Sequence, residues 1–263
     1  MERQKISEKF SELREKKEGA LICYVMAGDP STEKTGEIVK ALVNGGADII
    51  ELGFPFSDPV ADGPTIQVAG QRALAAGMDT QCYFELIKTL DVGIPLVCMT
   101  YYNPVFRYGV EKFVEKAADA GISGLIVPDI PVEEAADLKN SCEKHGLDLI
   151  FLIAPTTTEG RVQKILERGS GFLYLVSRLG VTGAREDVSS STRELLSRVE
   201  TGLPKAVGFG ISTGEQAAEV RDAGADAVIV GSAFVKIIDE GKDVNERLEA
   251  LAKELKSGIK RAS

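Results

Sequence analysis

Eight short apolar runs recur along the chain, and most are separated by stretches with helical periodicity. The runs span 21–26, 49–52, 96–99, 125–127, 149–153, 172–176, 205–207 and 228–230. None shows the apolar–polar alternation of a strand with one wet face, so each reads as a strand covered on both sides. Amphipathic patterns occupy 32–44, 110–120, 133–145, 160–168, 192–199 and 215–223. Two more, 6–16 and 245–256, precede the first run and follow the last. Helices between consecutive strands make the crossovers parallel. This pattern fits an α/β chain folded as a (β/α)8 TIM barrel with an extra N-terminal helix. The competing architecture is an open doubly wound sheet, but its glycine-rich fingerprint does not follow the first strand, where MAGDPS (26–31) stands instead. A barrel of this kind typically takes about 250 residues, so residues 1–263 read as one domain.

A faint internal repeat agrees. NGGADIIELG (44–53), AGISGLIVP (120–128) and AGADAVIVG (223–231) each place a glycine at a helix end and a strand a few residues on. Glycine takes the left-handed conformation that closes a helix at no steric cost.

Charge and composition narrow the function. The 31 basic and 40 acidic residues give a net charge of −9, which weighs against nucleic acid or an anionic membrane as partners. A small anionic ligand stays open, because helix N-termini bind phosphate through backbone N–H groups. No apolar run approaches the roughly 20 residues of a membrane span. The densely charged start, MERQKISEKFSELREKKEGA, does not read as a signal peptide, so a cytoplasmic location is expected. Cys23, Cys82, Cys98 and Cys142, separated by 59, 16 and 44 residues, match no zinc or redox spacing and read as reduced core thiols. His145 is the one histidine. A catalytic zinc or a histidine-based nucleophile is therefore not expected, which leaves carboxylates, lysines and tyrosines for acid–base work.

In a barrel the chemistry sits beyond the C-terminal ends of the strands. Glu51 lies inside the second apolar run. A carboxylate there is either paired in a buried ion pair or carries a raised pKa, and the latter suits a general acid. Asp62-Gly63-Pro64 reads as a helix start with Asp62 as the cap, or as a second carboxylate at the rim of the same site. SRLGVTGARED (177–187) is a glycine-bearing loop, either a lid or plain surface. GFGIS (208–212) and GSAFVKII (231–238) carry glycines at two successive strand ends, with Ser232 heading a helix. That is the usual phosphate arrangement of such barrels, although tight turns alone would use the same residues.

Taken together, ELGFPFSDPVADGPTIQ (51–67), SRLGVTGAR (177–185), GFGIS (208–212) and GSAFVKII (231–238) resemble the tryptophan synthase alpha chain family. GDP (28–30), TYYNP (100–104) and VPDIPVEE (127–134) fit in the same order. The resemblance implies a lyase of L-tryptophan biosynthesis that splits indole-3-glycerol phosphate into indole and glyceraldehyde 3-phosphate, without metal or organic cofactor. By this resemblance Glu51 and Asp62 are the catalytic carboxylates. Phosphate rests on Gly183, Gly210, Gly231 and Ser232, and indole lies among Tyr24, Ile126, Ile153, Tyr174 and Phe209. Thr182 would hydrogen-bond Asp62 when its loop closes, and Asp58 belongs to a partner-facing loop. The implied partner is a pyridoxal-phosphate-bearing beta chain, in an α2β2 assembly. The absence of tryptophan from the composition suits an enzyme made when tryptophan is scarce. Two other readings stay in view: a free-standing lyase that releases indole, and a phosphate-binding barrel that mainly regulates a partner.

Overall fold

The computed structural model describes residues 4–176, 190–208 and 210–261. Among the described residues nine strands form one all-parallel sheet: β1 (Ala20–Met26), β2 (Ile49–Gly53), β3 (Leu96–Met99), β4 (Gly124–Ile126), β5 (Asp148–Ile150), β6 (Leu152–Ile153), β7 (Leu173–Val176), β8 (Lys205–Gly208) and β9 (Ala227–Val230). Their order is β5-β4-β3-β2-β1-β9-β8-β7-β6. The two ends of that order, β5 and β6, are separated in the chain by Phe151 alone. Together they are the fifth of the expected strands, interrupted once. The upstream half pairs with β4 and the downstream half with β7, while the Phe151 carbonyl accepts the Tyr174 N–H at 3.1 Å. The sheet therefore closes into the expected barrel.

Side-chain alternation divides the core into two layers. Ile22, Ile49, Val97, Ile126, Ile150, Phe172, Ala206 and Ile229 point into the barrel. Leu21, Cys23, Ile50, Leu52, Cys98, Leu149 and Phe151 point outward into the layer under the helices. Both faces are thus apolar, which is why the strands do not alternate in sequence. The N-terminal helix Ile6–Glu15 presents Ile6, Phe10 and Leu13 to the inner layer, with the Phe10 and Phe172 rings 6.1 Å apart. It plugs the N-terminal mouth and leaves the other mouth for chemistry. The repeated helix–strand joints behave alike, with Gly46, Gly121 and Gly224 at φ 99°, 98° and 100°.

Differences from the sequence reading lie in the helices. Two helices fill the β2–β3 crossover: Pro64–Ala75, of which the sequence shows only the start at Asp62-Gly63-Pro64, and Thr80–Thr89, unread in the sequence. The 133–145 pattern is helical over Ala136–His145, after a turn in which Glu134 N–H bonds to the Pro131 carbonyl at 2.9 Å. All four cysteines are free; three are buried and Cys82 is half-buried.

Candidate active site

The inward positions one layer above the apolar plug supply the site. Going up β2, Ile49 and Glu51 both face inward, so a residue of the C-terminal layer is a carboxylic acid. Tyr24 of β1 stands in register with Glu51. With Met99, Ile126, Leu152, Tyr174 and Ile229 they line a cavity of about 330 Å³ at the C-terminal mouth. Its rim is built from Ala61, Asp62, Gly63 and Pro64 after β2, Gly210 and Ile211 after β8, and Gly231 and Ser232 after β9. A larger groove of about 950 Å³ opens at the opposite mouth beside Lys5, Asp91, Asp119 and Asp148. Its lining mixes both signs of charge on mostly exposed side chains, and it lacks the apolar walls of a small-molecule site.

Glu51 is 2% exposed, and its Oε2 has no hydrogen-bond partner. Burial, reinforced by the charge of Asp62, pushes its pKa up to about 8. No ion pair to Glu51 is formed among the described residues, so the buried-salt-bridge alternative has no partner to support it. At neutral pH the carboxyl is therefore mostly protonated and carries a donatable proton.

Asp62 is half-buried. Burial raises its pKa above the ordinary aspartate value, opposed by a hydrogen bond from Tyr101. It does not cap the following helix, contrary to one reading of its sequence context. The cap position is Gly63, with no side-chain bond, and Pro64 occupies the first turn. Proline has no N–H to be capped there, so the Asp62 carboxyl is free to face the cavity. The two carboxyls thus differ in environment, one sealed in the strand layer and one at the wetter rim.

The anion-binding end is backbone. The helix Ser232–Glu240 begins at the cavity with Gly231 as its cap, and its first N–H groups have no intrahelical acceptor. A side chain at 231 would crowd the Tyr24 ring, with Tyr24 Cβ and Cδ1 both 3.3 Å from its Cβ. Gly210 has φ 80°, a conformation open chiefly to glycine. Among the described residues no group of three or more His, Cys, Asp or Glu side chains could hold a metal ion.

The structure brings together Tyr24, Glu51, Asp62, Ile126, Tyr174, Gly210, Gly231 and Ser232. Asp58 is exposed on the outer part of the β2 loop, away from the cavity lining. Thr182, Gly183 and Phe209 lie outside the described residues. Ile153 is corrected: it is fully buried in the outer layer, under the helices. Ile150 and Leu152 face inward, and the period of two sends Ile153 to the other face, so Leu152 lines the cavity instead. Reading β6 in step with Ile150 would have found Leu152. Met99, Ile211 and Pro128 also line the cavity, and nothing in their residue type distinguishes them from core.

The family profile described as tryptophan synthase alpha chain matches residues 10–263. The tryptophan synthase alpha chain of Methanosarcina barkeri is 98% identical over 263 residues, covering 100% of each chain. That of Natronomonas pharaonis is 54% identical over 255 residues, covering 92% of each. Among solved structures, tryptophan synthase from M. tuberculosis, in an open form with BRD0059 bound, superposes with a TM-score of 0.88 at 39% identity, covering 97% of this chain and 98% of that one. The tryptophan synthase alpha subunit of Legionella pneumophila gives 0.87 at 35% identity, with 97% of each chain covered.

Proposed function

The chain belongs to the tryptophan synthase alpha chain family and catalyses its lyase step, and we propose that Glu51 and Asp62 are the two carboxyl groups that carry it. Indole-3-glycerol phosphate is cleaved to indole and glyceraldehyde 3-phosphate. The bond to break joins indole C3 to a hydroxyl-bearing carbon. Indole is a poor leaving carbanion, so C3 takes a proton first. Glu51, neutral in its apolar layer, gives that proton and leaves a cationic indolenine. Asp62, ionised at the rim, accepts a hydrogen bond from the indole N–H and stabilises the positive charge developing on nitrogen. The Glu51 carboxylate then takes the proton of the adjacent hydroxyl. The C–C bond pair returns to the ring, the carbonyl of the aldehyde forms, and Glu51 ends protonated as it began. Acid–base help of this kind is worth roughly 10²–10⁴-fold.

The observation that carries this reading is the buried, unpartnered Glu51 carboxyl with its pKa raised to about 8, facing a cavity that also contains Asp62. Burial raises both acids, but at Asp62 a hydrogen bond from Tyr101 opposes the rise, and unlike environments of this kind are how one site holds an acid and a base at once. Phosphate would rest on Gly210, Gly231, Ser232 and Gly183, and the indole between Tyr24, Tyr174 and the apolar wall with Phe209. Thr182 would reach Asp62 from its loop.

The family works with a beta chain. We place that partner on the β2 loop at Asp58, where Val60 is 78% exposed and Phe106 nearby in sequence to Tyr101 is 66% exposed. Large apolar groups left in water at one rim suit a protein contact. The α2β2 stoichiometry, pyridoxal phosphate on the beta chain and a cytoplasmic setting belong to the same proposal. Among the described residues no helix is long and apolar enough to cross a membrane.

The test is release of glyceraldehyde 3-phosphate from indole-3-glycerol phosphate, alone and with a beta chain, for the wild type, Glu51→Gln and Asp62→Asn. Loss of activity in both variants and stimulation by the partner are expected. Activity that survives Glu51→Gln would rule out the acid assigned here.

A further inference from the structure

We propose that Tyr101 is the positioning residue for Asp62, its hydroxyl accepting the Ala61 N–H and donating to the Asp62 carboxyl so that the loop holds this group where the indole N–H arrives. The inference rests on the role given to Asp62 above and adds to it.

The rim loop has little else to fix it. Ser57, Asp58, Val60, Ala61 and Gly63 are exposed, and the following helix starts without a side-chain cap. Two bonds bracket residue 62. On one side Gln67 Nε2 donates to the Asp62 carbonyl at 2.8 Å. On the other the Ala61 N–H donates to Tyr101 Oη at 3.1 Å. A tyrosine hydroxyl has one proton to give and lone pairs to receive. Having accepted from Ala61, it keeps its own proton, and the Asp62 carboxyl is the group it serves.

Tyr101 is suited to hold rather than to follow. It is 1% exposed and sits at the end of β3, between two anchored residues. Thr100 N–H bonds to the Ile126 carbonyl at 3.0 Å, and Tyr102 N–H bonds to Asp129 Oδ1 at 2.8 Å. Its ring packs on Phe56, with centroids 5.5 Å apart. The donor therefore stands on the barrel frame, while the acceptor stands on a loop. Tyr101 is not part of the cavity wall, so it acts through Asp62 and not on substrate.

The groups that face Asp62 are Glu51 from β2, Tyr24 from β1, Tyr174 from β7 and Tyr101 from the end of β3. Burial raises the Asp62 pKa, and Tyr101 is the group that pulls it back. Removing this donor makes Asp62 harder to ionise, and the acid limb of the rate profile moves to higher pH.

The experiment compares wild type, Tyr101→Phe, Asp62→Asn and the double variant for cleavage of indole-3-glycerol phosphate across pH 5–9, with thermal midpoints read on the same samples. Phenylalanine keeps the ring against Phe56, so the fold is retained. Tyr101→Phe is expected to lower kcat about tenfold to a hundredfold, the worth of one hydrogen bond to a charged group. KM should change less than kcat, within about threefold, because the bond from the indole N–H to Asp62 gains most of its strength as positive charge develops on nitrogen. The acid limb should shift upward, and the double variant should lose no more than Asp62→Asn alone. An unshifted limb with unchanged kcat, or losses that multiply in the double variant, would overturn the positioning role. Full activity in Asp62→Asn would instead overturn the two-carboxyl reading on which it rests.

Discussion

Glu51 is placed where its charge is most costly, and that cost has a measurable signature. A carboxyl whose pKa is about 8 in the fold and 4.5 when unfolded binds more protons folded than unfolded between those values. Stability contributed by the group is then present below about 4.5 and is lost as pH rises through 8. Glutamine keeps the shape and never ionises. Glu51→Gln should match the wild type in urea midpoint near pH 4.5 and exceed it increasingly toward pH 8 and above, by a gap on the order of a few kcal/mol. Equal midpoints at both pH values would mean that Glu51 is ionised in the fold, and the acid assigned to it would be lost. The sequence exposed this residue because an acid inside an apolar run has few physical explanations. It did not expose the use of Asp62: Asp before Gly-Pro has the composition of a helix cap, and only the backbone shows that Gly63 holds the cap position. Tyr101 was invisible for a related reason, since its partners, Ala61 and Asp62, are about 40 positions away in sequence.

At the scale of elements, neighbouring strands must interlock around the cavity. Tyr24 on β1 reaches across to β2, where Gly53 makes room for it. A Cβ at 53 would collide with the Tyr24 hydroxyl and would lie 2.8 Å from Cζ and 3.0 Å from Cε2. Gly53→Ala should therefore cost about 1–3 kcal/mol of stability, as overpacking does. It should also raise KM, because the ring it displaces forms a cavity wall. Adding Tyr24→Phe removes the hydroxyl but not the ring carbons, so it should restore only part of the midpoint. Complete restoration would show that the hydroxyl alone sets the clash. Elements with strong periodicity were legible in the sequence, including all eight strand positions and the helix Thr32–Asn44. The break at Phe151 was not, because it arises from pairing with β4 on one side and β7 on the other. Ile153, named by resemblance alone, was misplaced because an all-apolar run does not announce which of its residues face inward. The helix Pro64–Ala75 was legible at its start, Asp62-Gly63-Pro64, but weak amphipathicity hid its extent; its register is set instead by Arg72, whose guanidinium bonds buried Asp29 through Nε and Nη2 at 2.8 Å each and also reaches Asp239.

For the whole molecule, the barrel divides its labour between two mouths. The C-terminal mouth holds the cavity, and the N-terminal mouth is fastened by groups with no access to it. Lys256, on the final helix Val244–Arg261, bonds Asp48 at 2.7 Å and the Gly19 carbonyl at 2.9 Å, with Glu18 at 3.4 Å. Asp48 in turn accepts the Leu21 N–H at 2.7 Å. One cation thus ties the final helix to the segments that enter β1 and β2, where the first strand also meets the last through β1–β9 pairing. Parallel topology and strand count were readable from apolar runs, but this closure was not, since its members stand 208 and 237 residues apart. Lys256 and Asp48 are both nearly buried. Removing the cation leaves a carboxylate with its Leu21 bond but no countercharge, and stranding one member of a buried pair costs about 3–5 kcal/mol. Lys256→Met should lower the denaturation midpoint by that order, while kcat and KM at a temperature well below the transition stay at the wild-type values. Restoring neutrality with Asp48→Asn on the same background should recover part of the loss. A fall in kcat without a fall in stability would mean that the two mouths are coupled, and that the final helix shapes the cavity as well as closing the barrel.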